Sequence, residues 1–500
     1  MRDDDLHEAR PSAARYASPG RSLCVRLRDG ATLSERPDGD LAVSSPFGTL
    51  AWKRMPPGLR AAFDALAGAF VTVDALADRV LGIDGEGALP RLYHHLEQLR
   101  LCGLLQHAAA QEGVILAEIM GLDPRHRFTI RALSPAQPYL LSRFAHCRRE
   151  GGRLVLESPV GHARVVLRDP RAAMLVALLA EPHTPPHLAE RLPETPEEVV
   201  ADCLQLLLNA DALTTPGEGG FTAEDEDPAL AQWGFHDLLF HARSRFGRHS
   251  TPFGATFRHV DRIAPLPAVK PPPGDATIVL ERPDLERIQA EDPPLARVME
   301  ARRSIYTYGE HPITLAQLGE FLYRVARVRS SGEFRVMGEG GHTRARMEVT
   351  SRPYPSGGKC YEIELYPIVR RCEGLPGGMY HYDPLHHRLS RVRERDGYVE
   401  ALLRYASVAA PNGDPQVLIA LAARFQRVSW KYDAIAYATT LKHVGVLYQT
   451  MYLVATAMGL SPCALGSGDA DLFAAASGTR YFAETSVGEF MLGSGPEGGV

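Results

Sequence analysis

The sequence predicts an α+β chain: two tandem winged-helix-like modules, near 20–115 and 135–220, followed by a larger domain of mixed strands and helices over 276–500. Three observations carry this. An internal repeat fills the first half. A stiff Pro-rich stretch, Ala264-Pro-Leu-Pro-Ala-Val-Lys-Pro-Pro-Pro-Gly274, separates it from the second. That second half alternates strand-like runs with helices and contains one long apolar helix ending at Gly459.

The repeat is read motif by motif. Ser45-Pro-Phe-Gly48 recurs as Ser158-Pro-Val-Gly161, Leu76-Ala-Asp-Arg-Val80 as Leu188-Ala-Glu-Arg-Leu192, and Leu96-Glu-Gln-Leu99 as Leu204-Gln-Leu-Leu207, in the same order. Each copy opens on strand-like segments (Asp40 to Val43; Arg153 to Leu156) and passes into helical apolar spacing (Leu59, Ala62, Phe63, Leu66; Ala173, Val176, Leu179). A second short helix, a third helix and a final turn complete the outline of a winged helix. The third helices, Leu89 to Leu101 and Glu197 to Leu208, are poor in basic residues, and the second carries Glu197, Glu198 and Asp202. A helix that reads a DNA groove needs Lys or Arg for phosphates, so no nucleic-acid partner is expected. A peptide clamp, in which an extended ligand adds a strand to a sheet edge, is the preferred reading; a plain scaffold is the bland one.

Composition narrows the classes. Five hundred residues, 45% of them hydrophobic, suffice for several cores. A net charge of -5, from 55 basic and 60 acidic residues, gives no general attraction for nucleic acid or an anionic membrane. No apolar run reaches a membrane span, and the acidic start Met1-Arg-Asp-Asp-Asp-Leu-His lacks the apolar core of a signal peptide, so a cytoplasmic location is expected. Cysteines 24, 102, 147, 203, 360, 372 and 463 are odd in number and never spaced C-x-x-C, which predicts reduced core thiols and no metal site.

Residues 228–275 are expected to hold a connecting helix and the Pro-rich linker. In the helix Trp233, Leu238, Leu239 and Ala242 should face a core, with His236 and His241 left to packing and hydrogen bonding. Next, a helix through Leu295, Val298 and Met299 leads to Arg302-Arg303-Ser304, two guanidinium groups and a hydroxyl suited to a phosphate dianion. Thr314 to Gln317 is a capping box. Pro355-Ser356-Gly357-Gly358 forms a turn whose glycines let backbone N–H groups approach a ligand, ahead of an alternating strand from Cys360 to Pro367. Met379 to Ser390 reads as a hairpin and Gln416 to Ala423 as a buried strand. Lys431-Tyr432 places two proton-handling groups before the long helix, which is lined by Val444, Leu447, Met451, Val454, Ala455 and Met458. Beyond Gly459, the segment Ser461 to Gly468 reads as a Gly-rich loop that could line a flat cofactor.

In this order, Arg302-Arg303-Ser304, Pro355 to Gly358, and a buried helix leading to Ala464-Leu465-Gly466-Ser467 resemble the FMN-dependent nitroreductase fold. With Trp233 to Arg245, Lys431-Tyr432 and the duplicated modules, the chain is more narrowly similar to the SagB-type azoline oxidases, the ThcOx-like dehydrogenases of ribosomal peptide maturation. The resemblance implies FMN at a homodimer interface, oxidation of thiazoline or oxazoline rings in a precursor peptide, and a cyclodehydratase complex as partner. It implies that Arg302 and Ser304, with Arg303 beside them, hold the FMN phosphate. Pro355, Ser356, Gly357 and Gly358 would meet the flavin ring, Ala464 to Ser467 would cover its other side, and Lys431-Tyr432 would be the catalytic pair. One departure stands out: the C-terminal stretch from Leu492 onward has no basic residue for the phosphate. Tyr432 or Lys431 could be the base that removes the ring proton, the flavin taking the hydride. The competing readings are a general NAD(P)H-dependent nitroreductase and a catalytically silent peptide-binding scaffold.

Overall fold

The computed structural model describes residues 23–36, 39–45, 48–123, 126–249, 251–274, 276–410 and 413–495. The acidic first residues, Pro46-Phe47 of the first repeat motif and the last five residues lie outside them. The chain divides into two compact units at Thr251/Pro252.

In unit 1 the two copies share one order of elements. The first runs β1 (Leu23–Leu27), β2 (Thr32–Glu35), β3 (Leu41–Ser45), β4 (Gly48–Trp52), α1 (Pro57–Gly68), β5 (Val71–Thr72), α2 (Val73–Asp84), α3 (Leu89–Leu101), β6 (Leu105–Gln111) and β7 (Val114–Gly121). The second runs β8 (Leu140–Leu141), β9 (His146–Glu150), β10 (Arg153–Glu157), β11 (Ala163–Leu167), α4 (Pro170–Leu178), α5 (Pro185–Arg191), α6 (Glu197–Asn209) and β12 (Leu213–Thr214). In copy one, β1 pairs with both β5 and β6. In copy two, β8 pairs with β12 while neighbouring Tyr139 bridges His183, so the same strand again receives two partners.

In each copy a three-stranded meander follows the first strand, where the sequence reading gave one strand-like segment. The meander β2-β3-β4 stands as its own sheet, whereas β9-β10-β11 joins β7 to give a seven-stranded sheet ordered β5-β1-β6-β7-β11-β10-β9. The expected final turn of copy one is the hairpin β6–β7, which runs past residue 115 to Gly121. Leu59, Phe63, Leu66, Leu76, Leu92, Leu96 and Leu99 close one core, each fully buried. Side chains of this kind contribute roughly 1.5–3 kcal/mol apiece.

After α7 (Ala223–Glu226), α8 (Phe235–Arg243) departs from its expected packing. Only Ala242 is buried; Trp233, Phe235 and Phe240 are 37–39% exposed. His236 and His241 are exposed as well.

Unit 2 is built on a second seven-stranded sheet, ordered β13-β18-β17-β16-β19-β21-β20 with antiparallel neighbours. Its elements are β13 (Thr277–Val279), α9 (Leu285–Glu291), α10 (Leu295–Ala301), α11 (Leu315–Ala326), β14 (Ser330–Met337), β15 (Thr343–Ser351), β16 (Ile363–Val369), β17 (Gly378–Asp383), β18 (Arg388–Glu394), α12 (Gly397–Ala409), β19 (Val417–Arg424), α13 (Phe425–Ser429), α14 (Ala436–Ala457), β20 (Leu460–Leu465), α15 (Ala470–Ser477) and β21 (Glu484–Ser494). One core collects side chains of α11 and α14, the other those of α12 and α15.

Helices on both faces explain one departure from the sequence reading, and strand pairing explains another. β16 does not alternate in exposure: Ile363 and Leu365 enter one core, Tyr366 and Ile368 the other, and every residue is buried. Ser461 to Leu465 is no loop but β20, an edge strand paired with β21; only Gly466 to Gly468 remain as the loop.

The Pro-rich stretch is a strap on unit 2. Prolines have no N–H, and side-chain donors reach the strap's carbonyls instead. Arg427 donates to Leu266 O at 2.7 Å, and Trp430 Nε1 donates to Ile263 O, the residue just ahead of the strap, at 2.6 Å. Lys270 Nζ donates to Glu484 at 2.6 Å and to Tyr366 Oη at 2.6 Å. Ala268 is buried.

At the start of α11 both halves of the capping box form: Gln317 N–H donates to Thr314 Oγ1 at 3.1 Å and Thr314 N–H to Gln317 Oε1 at 2.9 Å. Thr314→Ala should cost about 1 kcal/mol. Urea denaturation of the two proteins checks it, and equal midpoints would show that packing alone fixes this helix start.

Candidate active site

Lys431 and Tyr432 sit in the short link between α13 and α14. Their backbone is held by the segment that precedes the strap. Gly254 and Asp433 exchange N–H···O bonds at 3.2 and 2.9 Å, and Phe257 N–H donates to Lys431 O at 3.3 Å. Arg258 pairs with the Asp433 carboxylate at 2.9 Å, and Thr256 Oγ1 bonds it too. The Lys431 ammonium end lies 4.3 Å from the ring centre of Phe334 on β14 and 5.8 Å from that of Phe257. It donates to Gly358 O at 3.3 Å.

Burial lowers the Lys431 amine below its ordinary pKa, Cys360 nearby opposing and Arg427 adding to the effect. Burial, with Cys360 beside it, raises the half-buried Tyr432 phenol. Both shifts favour the neutral forms of the pair. Only 7% of Lys431 is exposed, so it is not a surface cation.

Gly358 brings the glycine turn into this group. Its φ is +63°, and a Cβ there would lie 2.5 Å from Tyr432 Oη and 2.8 Å from Lys431 Nζ, so any larger residue would be strained and would push these two groups aside. Lys359 and Tyr361 also have positive φ, 56° and 42°, a strain of roughly 1–3 kcal/mol each that the surroundings must hold in place. Ser356 Oγ accepts from Tyr361 N–H at 2.9 Å. The Gly357 N–H, expected to approach a ligand, is engaged within the protein: it donates to His443 Nε2 at 2.6 Å. Pro355 is exposed at the head of the turn.

Arg302, Ser304 and Ala464 form a second group around Tyr452 of α14. Ser304 Oγ and Tyr452 Oη are 2.7 Å apart, Ala464 N–H donates to the same phenol at 2.8 Å, and the Arg302 guanidinium lies 5.4 Å from its ring centre. Ile305 N–H to Pro462 O, 2.9 Å, aligns the segment with β20. Arg303 is exposed. Leu465, Gly466 and Ser467 line a cleft of about 420 Å³ together with Tyr448 and Ser486 to Glu489. Burial raises the Glu489 carboxyl there. One helix thus carries His443 at the turn, Tyr448 at the cleft and Tyr452 at the guanidinium group.

Several residues in these groups escaped the sequence reading. His443 and Glu362 are one pair. Phe334 and Phe257 cover the lysine. Arg427, almost wholly buried, donates to the carbonyls of Cys360, Leu266 and Glu348 and so ties turn, strap and β15 together. A lone histidine in an apolar helix and an arginine four residues before Lys431 were the available signals. Among the described residues no group of three or more His, Cys, Asp or Glu gathers to hold a metal, and no helix is long and apolar enough to cross a membrane. None of the seven cysteines is in a disulfide; Cys102 and Cys147 are exposed and Cys372 partly so, against the core expectation.

Residues 139–250 match the family model described as cyanobactin oxidase ThcOx, and residues 299–493 match that of the nitroreductase family. A Methanocaldococcus jannaschii protein named as a nitroreductase, MJ1384, is 29% identical over 194 residues, 38% of this chain and 85% of that protein. The microcin B17-processing protein McbC of Escherichia coli is 32% identical over 115 residues, 22% of this chain and 42% of its own length. A chain in the solved E. coli microcin synthetase McbBCD complex, with truncated pro-MccB17 bound, is 20% identical; the match covers 51% of this chain and 90% of that one, at a TM-score of 0.32.

Proposed function

We propose that this chain, an oxidoreductase of the SagB/ThcOx azoline-oxidase type with a nitroreductase-family domain, converts thiazoline or oxazoline rings of a ribosomally made peptide to thiazole or oxazole with FMN as electron acceptor. The observation that carries the reading is the Lys431 amine, buried beneath Phe334, touching the Gly358 carbonyl and standing beside Tyr432.

Aromatising an azoline removes a proton from the ring carbon next to the peptide carbonyl and a hydride from its neighbour, two hydrogens in all. FMN, when bound, supplies the hydride acceptor. Lys431 is the base. Burial favours its uncharged amine, which has a lone pair for the proton, whereas burial keeps Tyr432 a neutral phenol, a hydrogen-bond donor that orients the ring. The aromatic cover of Phe334 and Phe257 keeps water from the amine.

The residues present suit FMN at two places. Glycines 466, 468 and 488 open the cleft walls, and Arg302 with Ser304 supplies a cation and a hydroxyl for the phosphate. A homodimer is supported by apolar surface: α14 is a predominantly apolar helix, yet its Tyr437 and Leu441 stay 48% and 38% exposed, and Leu295 and Met299 of α10 63% and 55%. In unit 1 we read each copy as a winged-helix-like clamp for the precursor peptide, with β5 and β9 as the sheet edges it could extend. The partner is then the peptide together with the cyclodehydratase that makes its azolines.

The test combines a visible spectrum with mass spectrometry of an azoline peptide. Flavin bands and a loss of two hydrogens per ring are expected. Reduction of nitroaromatics by NAD(P)H with no change in the peptide would favour a general nitroreductase. A colourless, inert protein would favour the silent scaffold.

A further inference from the structure

The turn that carries Gly358 is closed by a buried imidazole. Gly357 N–H donates to His443 Nε2 at 2.6 Å, so that nitrogen presents its lone pair. The proton then sits on Nδ1, which donates to Glu362 Oε1 at 2.7 Å. Glu362 follows the turn and Gly357 begins it, so one side chain of α14 grips both ends of a segment with positive φ at Gly358, Lys359 and Tyr361. Both partners are buried, His443 at 5% and Glu362 at 0%. Among the described residues Glu362 Oε2 has no hydrogen-bond partner. A half-satisfied buried carboxylate destabilises the fold, which argues for a role other than stability. Thr439 adds a steric wall: a Cβ on Gly357 would meet its Cγ2 at 3.2 Å.

We infer that His443, its tautomer fixed by Glu362, is a positioning residue that clasps the Ser356–Tyr361 turn and thereby holds the Gly358 carbonyl against the Lys431 amine. Its value for catalysis rests on the proposed role of Lys431 as base. The clasp itself does not.

The test is acetylation of the full chain read by mass spectrometry, following Lys431 against the exposed Lys442. His443→Phe fills the space but has neither ring nitrogen. It should raise Lys431 labelling about tenfold as the turn opens locally, with Lys442 labelling and circular dichroism unchanged. His443→Gln can accept from Gly357 N–H and donate to Glu362, and should stay within about twofold of the parent. Glu362→Leu, which frees the tautomer, should behave like His443→Phe and supplies the comparison if that variant does not fold. Equal labelling of Lys431 in the parent and in whichever of these two variants folds overturns the clasp. So does a rise in His443→Gln as large as theirs, because the hydrogen bonds to Gly357 and Glu362 would then not be what closes the turn. No substrate enters this readout, so a chain that oxidises no azoline would refute the proposed reaction and leave the labelling result to decide the clasp.

Discussion

Lys431→Ala is expected to lower kcat/KM for ring oxidation by roughly 10²–10⁴-fold, the usual contribution of a general base, while the visible flavin spectrum stays at parent intensity. The amine touches the glycine turn and two aromatic rings, none of which is a charged group suited to a phosphate. Lys431→Arg should fail nearly as badly, because a guanidinium keeps charge and aromatic contact but does not give up its proton. The pH profile carries the sign. A base works in its deprotonated form, so activity is present above its pKa and lost as pH falls through it. Burial moves that acid limb below the ordinary lysine range, and an activity that rises only at strongly alkaline pH would count against the assignment. Tyr432→Phe should cost less than the lysine variants. The double variant should do little worse than Lys431→Ala alone, as groups acting together fail together. Parent rates in Lys431→Ala would end the case for this residue as base.

Legibility in the sequence followed locality. Lys431-Tyr432 and Pro355 to Gly358 could be read because adjacent residues and glycines announce themselves. Their meeting could not, since Gly358 and Lys431 are joined only by the fold. Glu362 and Glu364 looked like the polar face of an alternating strand. They are buried carboxylates, partnered by His443 and by His381 with Arg424, because helices cover both sheet faces. Ser461 to Leu465 looked like a loop and is an edge strand because its backbone pairs with β21, a partner that sequence does not announce. Proline content suggested a stiff linker over 264–274, but composition does not reveal that Arg427 reaches its Leu266 carbonyl or that its own Lys270 reaches out to Glu484.

The repeat was legible for a different reason. Its motifs keep their order, and order survives folding: both copies give a strand, a three-stranded meander, three helices and a returning strand. What spacing did not reveal was that the second meander would extend the sheet of the first copy through β7 and β11. The residues in and around α8 misled for the converse reason. Helical spacing predicts a packed face of Trp233, Leu238, Leu239 and Ala242, but Trp233 is exposed, the two leucines are half-buried and of the four Ala242 alone is buried.

Arg302→Ala combined with Ser304→Ala should yield folded protein that purifies without flavin. A hydrogen bond to a charged group contributes roughly 1.5–3 kcal/mol, so loss of the guanidinium alone should weaken FMN binding by about 10- to 100-fold. Arg302 is a strong candidate because it is partly exposed and lies over the Tyr452 ring, next to Ser304, with a planar guanidinium suited to a phosphate. Ser304 has a double effect: its hydroxyl bonds Tyr452 Oη, which also receives Ala464 N–H, so Ser304→Ala disturbs the end of β20 along with the phosphate side. Tyr452→Phe separates the two contributions. It keeps Arg302, Ser304 and the ring but removes the link to Ala464, and should lower flavin occupancy less than the double variant does. The chain's last described strand carries no basic residue beyond Leu492, so no second cation there is expected to compensate. Full flavin occupancy in the double variant would mean that the phosphate is held elsewhere, and the cleft of Leu465 to Gly468 with Ser486 to Glu489 would then need a different ligand.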